Sequence, residues 1–200
     1  MKKFGVVLFL AFVTILLGGN ALAQNKGDNS YYFTTYFSNA NTGGAPDATL
    51  RIVNDGDAST SQKEGQPNGL MGAIILVFDD SQELQECCGC EISADGLLSE
   101  SVNSELTANT LTGRPVTRGV IKIVGVSLVS GNFAPGLRGT MTHIQAATTG
   151  NALYSVTEAP LADSNLSTAE LDALEQLCSF SITLGSGQGV CSCTPEDDDF

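Results

Sequence analysis

The chain has no tryptophan, one histidine, and only nine lysines and arginines against 22 acidic residues. Each shortage removes a class of function. With His143 as the sole imidazole, histidine-rich metal triads are excluded, and any serine or cysteine nucleophile would have to share that one base. His143 sits in "TMTHIQ", where it reads as a polar residue on a strand face, and no catalytic residue is expected. Without tryptophan the chain lacks the ring on which sugar-binding clefts commonly stack. A formal net charge of −13 argues against nucleic acid and against an anionic membrane surface as partners. The acids are not arranged as a calcium loop either. "NDGD" (Asp55, Asp57), "FDD" (Asp79, Asp80) and the tail "PEDDDF" (Glu196, Asp197, Asp198, Asp199) lack alternating oxygen donors closed by a bidentate glutamate, and read as exposed turns and a solvated tail.

What is present begins with an address. Lys2 and Lys3 precede an apolar run from Phe4 to Leu17, followed by Gly18, Gly19 and the small-x-small triplet Ala21, Leu22, Ala23. This is the pattern of a secretory signal peptide over residues 1–23, and the run is shorter than the ~20 residues a membrane-spanning helix needs. Cleavage after Ala23 would leave 22 acids against seven bases, a net charge of about −15, in one domain with no further membrane segment. The expected divisions are a flexible segment 24–29, a single domain 30–193 and an acidic tail 194–200. The expected location is the periplasm, the medium or the cell surface of a bacterium.

Most of that domain has the patterning of strands. "SYYFTTYFSN" (30–39), "ATLRIVND" (48–55), "TRGVIKIVGVSLVS" (117–130), "LRGTMTHIQAA" (137–147) and "ALYSVTEA" (152–159) are β-branched or alternating runs separated by Gly, Asn, Ser and Pro. "LMGAIILVFDD" (70–80) is nearly continuous in apolar residues and reads as a central strand buried on both faces. "SQKEGQPNG" (61–69) reads as a loop, and "SFSITLGS" (179–186) with "GVCSC" (189–193) as a closing hairpin turned by "LGSGQG". One helix is expected in "NLSTAELDALEQLC" (165–178). Ser167 and Glu170 form a capping box, Leu166 and Leu171 a hydrophobic staple, and Leu171, Leu174, Leu177 and Cys178 an apolar face. The fold class that follows is mainly β: a disulfide-stabilised β-sandwich, immunoglobulin-like in the broad sense, with one short C-terminal helix.

Six cysteines stand in two groups, Cys87, Cys88 and Cys90 in "ECCGC", then Cys178, Cys191 and Cys193. On an extended segment Cys88 and Cys90 share a face, as do Cys191 and Cys193, so the two C-x-C pairs can meet. As four thiolates they would form a tetrahedral site for zinc, iron or copper(I). Oxidised, they would form two neighbouring bridges and leave Cys87, on the opposite face, to meet Cys178. An even count in an exported chain favours disulfides, and no cofactor is expected.

The order "LVFDDSQELQECCGCEISADGL", "LTGRPVTRGVIKIV", "THIQ", "EAPL", a leucine-rich helix ending in cysteine and "LGSGQGVCSC" resembles a family of uncharacterised secreted proteins of environmental bacteria. The resemblance implies export and a shared cysteine framework, and carries no activity.

Two functions are compatible with these residues. One is a structural or interaction protein of the cell surface or extracellular matrix, with itself as a partner. The other is a metal-binding module built on the thiols or the acidic loops. Self-association has a candidate strand in "SYYFTTYF", where Tyr31, Phe33 and Phe37 would take one face and Tyr32 and Tyr36 the other. Such a strand is either packed in its own sandwich or donated to a neighbouring subunit's sheet to build a filament.

Overall fold

The computed structural model describes residues 30–56, 69–147 and 153–193. The expected leader, the segment 24–29, nearly all of the loop 61–69, Asp57 and the acidic tail lie outside them.

Among the described residues nine strands and one α-helix follow in chain order: β1 (Tyr32–Ser38), β2 (Thr49–Asn54), β3 (Met71–Asp79), β4 (Leu84–Ile92), β5 (Leu97–Ser101), β6 (Arg118–Ser127), β7 (Leu137–Ala146), β8 (Tyr154–Pro160), β9 (Ala162–Asp163) and α1 (Thr168–Thr183). They form a five-stranded sheet ordered β4-β3-β6-β1-β9 and a four-stranded sheet ordered β5-β2-β7-β8. Every pairing is antiparallel. The architecture is the expected two-sheet sandwich with a C-terminal helix.

β3 is the central strand that its apolar run predicts. It pairs with β4 from Met71 to Phe78 and with β6 from Met71 to Asp79. Ala73, Ile75 and Val77 join Phe33, Phe37, Leu50, Ile52, Ile121 and Met141 in the core between the sheets. Leu76 and Phe78 point the other way, into a second cluster with Tyr32, Leu84, Cys87, Val124 and Leu174 of α1. Burial on both faces is the reason β3 carries no polar alternation.

β1 lies inside its own sheet, in register with β6 from Tyr32↔Val124 to Ser38↔Arg118. Phe33 and Phe37 enter the core and Tyr32 the helix-side cluster, while Tyr36 is largely exposed. Tyr31 does not share the face of Phe33. It lies one residue ahead of the strand, is released from the alternation, and packs against the helix-side cluster with its ring stacked on Phe133 at 5.5 Å. The end of β1 is tied across to the second sheet, because the Ser38 hydroxyl (2.5 Å) and the Asn39 amide (2.8 Å) both donate to the Ile144 carbonyl of β7.

The C-terminal region departs from its pattern. Residues 179–183 are the last turns of α1, not a strand, and 189–193 form no strand, so the expected hairpin is absent. "SFSIT" has strand-like composition, but a helix already nucleated gains one backbone bond for each residue it adds. Ser181 continues the buried face begun by Leu174 and donates its hydroxyl to the Gly189 carbonyl at 2.7 Å. The helix closes at Leu184, whose N–H reaches the Phe180 carbonyl, and Gly185, at φ 63°, takes the left-handed conformation that ends it. Leu177 lies off the buried face, 39% exposed. At the other end Ser167 accepts from the Glu170 N–H at 3.2 Å, as expected of a cap. The Glu170 carboxylate, however, is turned towards the sheet and does not complete a reciprocal box.

The alternation reading also misses β5 and the π-helical turn Val102–Leu106 that follows it. In that turn the Ser101 hydroxyl accepts from the Ser104 N–H at 2.9 Å, and the Glu105 carboxylate accepts from the Ser101 N–H.

Candidate functional site

The cysteine framework is built on β4, an edge strand with an extra residue. The register against β3 shifts between Val77 and Phe78, leaving Gln85 without an opposite number. Gln85 is fully buried and held from three sides. Its side chain donates to Asp79 (2.8 Å) and accepts from Thr112 (2.8 Å), and its carbonyl accepts from the Leu111 N–H (2.8 Å). Beyond this bulge the alternation is regular, so Cys88 and Cys90 face the other sheet and Cys87 faces α1.

All six cysteines are bridged. Cys87 joins Cys178 of α1, Cys88 joins Cys191, and Cys90 joins Cys193, with Cα–Cα separations of 5.6, 5.2 and 5.4 Å. This is the arrangement expected from alternation for oxidised thiols. The sulfurs of Cys88, Cys90 and Cys193 all lie within 4.8 Å of one another, so two bridges sit side by side in the core while the third stands on the opposite face of the strand.

The bridges hold covering segments over the free edge of β4. The Cys87 N–H donates to the Gly189 carbonyl (2.8 Å), and the Gly189 N–H donates to the Asn109 carbonyl (2.7 Å). Gly189 adopts φ 73°, and a Cβ there would lie 2.4 Å from the Ser181 hydroxyl, so only glycine fits this crossing. Backbone groups that would otherwise template another chain are thereby occupied.

Beside the bridges Glu86 is fully buried, accepting from the Asn109 N–H at 3.0 Å. Burial pushes its carboxyl up to about 7, against the smaller opposing effect of that hydrogen bond. Its second oxygen is buried with no hydrogen-bond partner among the described residues.

A second polar group ties α1 to the sheet. The Glu170 carboxylate accepts from both Lys122 and the Tyr32 hydroxyl at 2.6 Å, and the Lys122 ammonium lies 5.2 Å above the Phe78 ring. The Lys122 hydrogen bond holds Glu170 below the usual carboxylate range, and burial pushes the Tyr32 hydroxyl well above its ordinary value. Alongside the helix runs an apolar cleft of about 330 Å³, lined by Ile74, Leu76, Val124, Phe133, Leu171 and Ile182.

His143 is not the exposed strand residue that its context suggests. It is 5% exposed, with its ring stacked on Tyr36 at 4.1 Å. Burial lowers its pKa, a hydrogen bond to the Tyr36 backbone partly offsets this, and Nδ1 has no partner among the described residues. β7 supplies the histidine and β1 the tyrosine, so the pair belongs to the seam between the sheets.

The acidic turns have structural partners. Asp79 accepts from the Ser81 and Glu83 N–H groups at 2.9 Å, closing the β3–β4 turn. Asp80 pairs with Arg118 (2.7 Å) and Asp55 with Arg138 (3.0 Å).

Among the end strands other than the covered β4, namely the five-residue β5, the two-residue β9 and the seven-residue β8, the longest outer edge without a partner strand among the described residues is that of β8. β8 ends the four-stranded sheet, pairs with β7 along seven residues, and has no strand on its outer side among the described residues. Val156 is 55% exposed and the preceding Leu153 77%. Glu158, its one acidic residue, is neutralised by Arg51 at 3.3 Å and accepts from Thr140 at 2.6 Å.

No family model, curated protein or solved structure matches this chain.

Proposed function

We propose that this protein is exported, acts as an interaction module rather than a catalyst, and associates with a second copy of itself by pairing the two β8 edges. The observation that carries this reading is the contrast between the sheet edges. β4 is covered by two segments and stapled three times, whereas β8, a seven-residue strand paired with β7 on one side, has an outer edge that meets no strand among the described residues.

An antiparallel edge is self-complementary about a two-fold axis, so a second copy is the occupant it fits without further design. Charge supports that choice. The molecule is strongly acidic, but on β8 the single carboxylate is balanced by Arg51, so two such edges meet with little local repulsion. Lysine and other devices that blunt edges are missing from Tyr154 to Ala159, and Pro160 ends the strand. Export is supported by the leader-like start and by three bridges, which persist in oxidising compartments. The non-catalytic reading is supported by His143, the one imidazole, being packed beneath Tyr36. Assembly by donation of β1 is less favoured, because that strand is paired with β6 of its own chain along its whole length and would have to be displaced.

Sedimentation velocity tests the reading. The exported protein should dimerise with rising concentration, and Val156→Lys should weaken association at least about tenfold, or ~1.4 kcal/mol, while leaving the circular dichroism unchanged. A protein that stays monomeric up to its solubility limit, or a Val156→Lys variant that associates as well as the parent, would contradict it.

A further inference from the structure

We propose that the reduced chain binds one soft metal ion through Cys88, Cys90, Cys191 and Cys193, so that the paired bridges between the sheets are the oxidised form of a four-thiolate metal site.

The placement of the sulfurs carries the argument. Cys88, Cys90 and Cys193 already hold their sulfurs within 4.8 Å of one another, and the Cys191 sulfur is bonded to that of Cys88. A tetrahedral zinc ion with bonds of about 2.3 Å keeps its sulfurs about 3.8 Å apart. The Cys88 sulfur needs to close on those of Cys90 and Cys193 by no more than about 1 Å, and each bonded pair, Cys88 with Cys191 and Cys90 with Cys193, must open by about 2 Å once its bond is broken.

The backbone can supply that movement on one side only. Cys88 and Cys90 stand on β4 opposite Ile75 and Ala73 of the central strand, in a fixed ladder. Cys191 and Cys193 stand on a segment outside both sheets, which begins just after the left-handed Gly187 and Gly189. Half of the ligand set is therefore rigid and half adaptable. Two C-x-C pairs with sulfur donors alone select borderline and soft ions over calcium or magnesium, which require oxygen. Cys88, Cys90 and Cys191 are buried among apolar side chains, and the half-buried Cys193 leaves one side open to water, where the site's excess negative charge is screened. Cys87 and Cys178 lie across β4 and do not compete for the ion.

A phosphine or a thiol serves as the reductant. For each bridge a phosphine takes oxygen from one water and becomes the phosphine oxide, the S–S bond breaks, and two S–H bonds form. Four thiols then give up four protons as they bind one zinc ion. Oxidation by a disulfide or by oxygen removes four electrons, rebuilds both bridges and expels the ion.

The test uses the full chain, reduced with a water-soluble phosphine under inert gas and titrated with Zn²⁺ and Cd²⁺. One ion per chain is expected. The cadmium–thiolate charge-transfer band should have the intensity of four thiolates, and metal should raise the unfolding temperature of the reduced chain. Cys87→Ser with Cys178→Ser should keep that band, whereas Cys191→Ser with Cys193→Ser should weaken binding by about a hundredfold or more. Should reduction unfold the chain, one equivalent of zinc should restore its β-sheet circular dichroism. No stoichiometric uptake, uptake without recovery or stabilisation of the fold, or equal affinity in the Cys191/Cys193 variant would each overturn the proposal.

Discussion

At Glu86 a carboxyl group shut away from solvent accepts one backbone hydrogen bond and has its second oxygen unpartnered among the described residues. Its pKa rises from an ordinary 4.5 to about 7, so between those values the folded, disulfide-bonded protein holds a proton that the unfolded chain has released. That contribution to stability is full below pH 4.5 and is lost as pH climbs towards 7, by up to about 3 kcal/mol. Glu86→Gln keeps an acceptor for Asn109 and removes the charge. Urea unfolding at pH 5 and pH 8 should show the variant losing less stability than the parent across this interval, and equal losses would contradict the assignment. His143 has the opposite sign. Its lowered pKa keeps the folded ring neutral, so its contribution is present above pH 6.5 and fades as pH falls. Because the ring is buried against Tyr36, His143→Ala should cost about 1–2 kcal/mol, more than the few tenths of a surface change.

Among the elements, α1 is held by Glu170 on Tyr32 and Lys122 near its start, by the Cys178 bridge beyond its middle and by Ser181 on the Gly189 carbonyl near its end. Cys87→Ala with Cys178→Ala removes a cross-link spanning 91 residues and should destabilise the protein by about 2–4 kcal/mol in thermal or chemical unfolding. Hydrogen exchange should then be fastest in α1, with β3 and β6 still protected. Uniform acceleration across the sheets would show that the helix is not separately anchored. Strand patterning made β1, β2, β3, β6 and β7 legible, since each buries one face or both in an apolar cluster, and β8 was legible from its composition alone, since none of its residues is buried. β5 was hidden because "LLSES" is five residues long and buries Glu100 where a hydrophobic residue would be expected. The end of α1 was hidden because "SFSIT" has strand composition, and what keeps it helical is tertiary: Ser181 packed beneath Gly189. Tyr31 escapes the alternation because it lies just ahead of the strand, and Leu177, in the middle of α1, turns away from the buried face that Leu174 and Ser181 share seven residues apart.

For the whole molecule, the cysteines were the most legible feature, because a period of two along β4 sorts Cys88 and Cys90 from Cys87 whatever the surroundings. The open edge of β8 could not be read in the same way. Strand order within a sheet depends on contacts distant in sequence, and nothing in "YSVTEAP" says which neighbour is missing. The central claim, that alternation on β4 dictates how the chain is cross-linked, is tested most directly by mapping the bridges of the exported protein. Stepwise partial reduction, alkylation with distinguishable reagents and tandem mass spectrometry separate Cys87 from its neighbour Cys88. The predicted result is a protein about six mass units lighter than its fully reduced form, with Cys87 joined to Cys178, Cys88 to Cys191 and Cys90 to Cys193. Free thiols, or a bond from Cys87 to either Cys191 or Cys193, would contradict it.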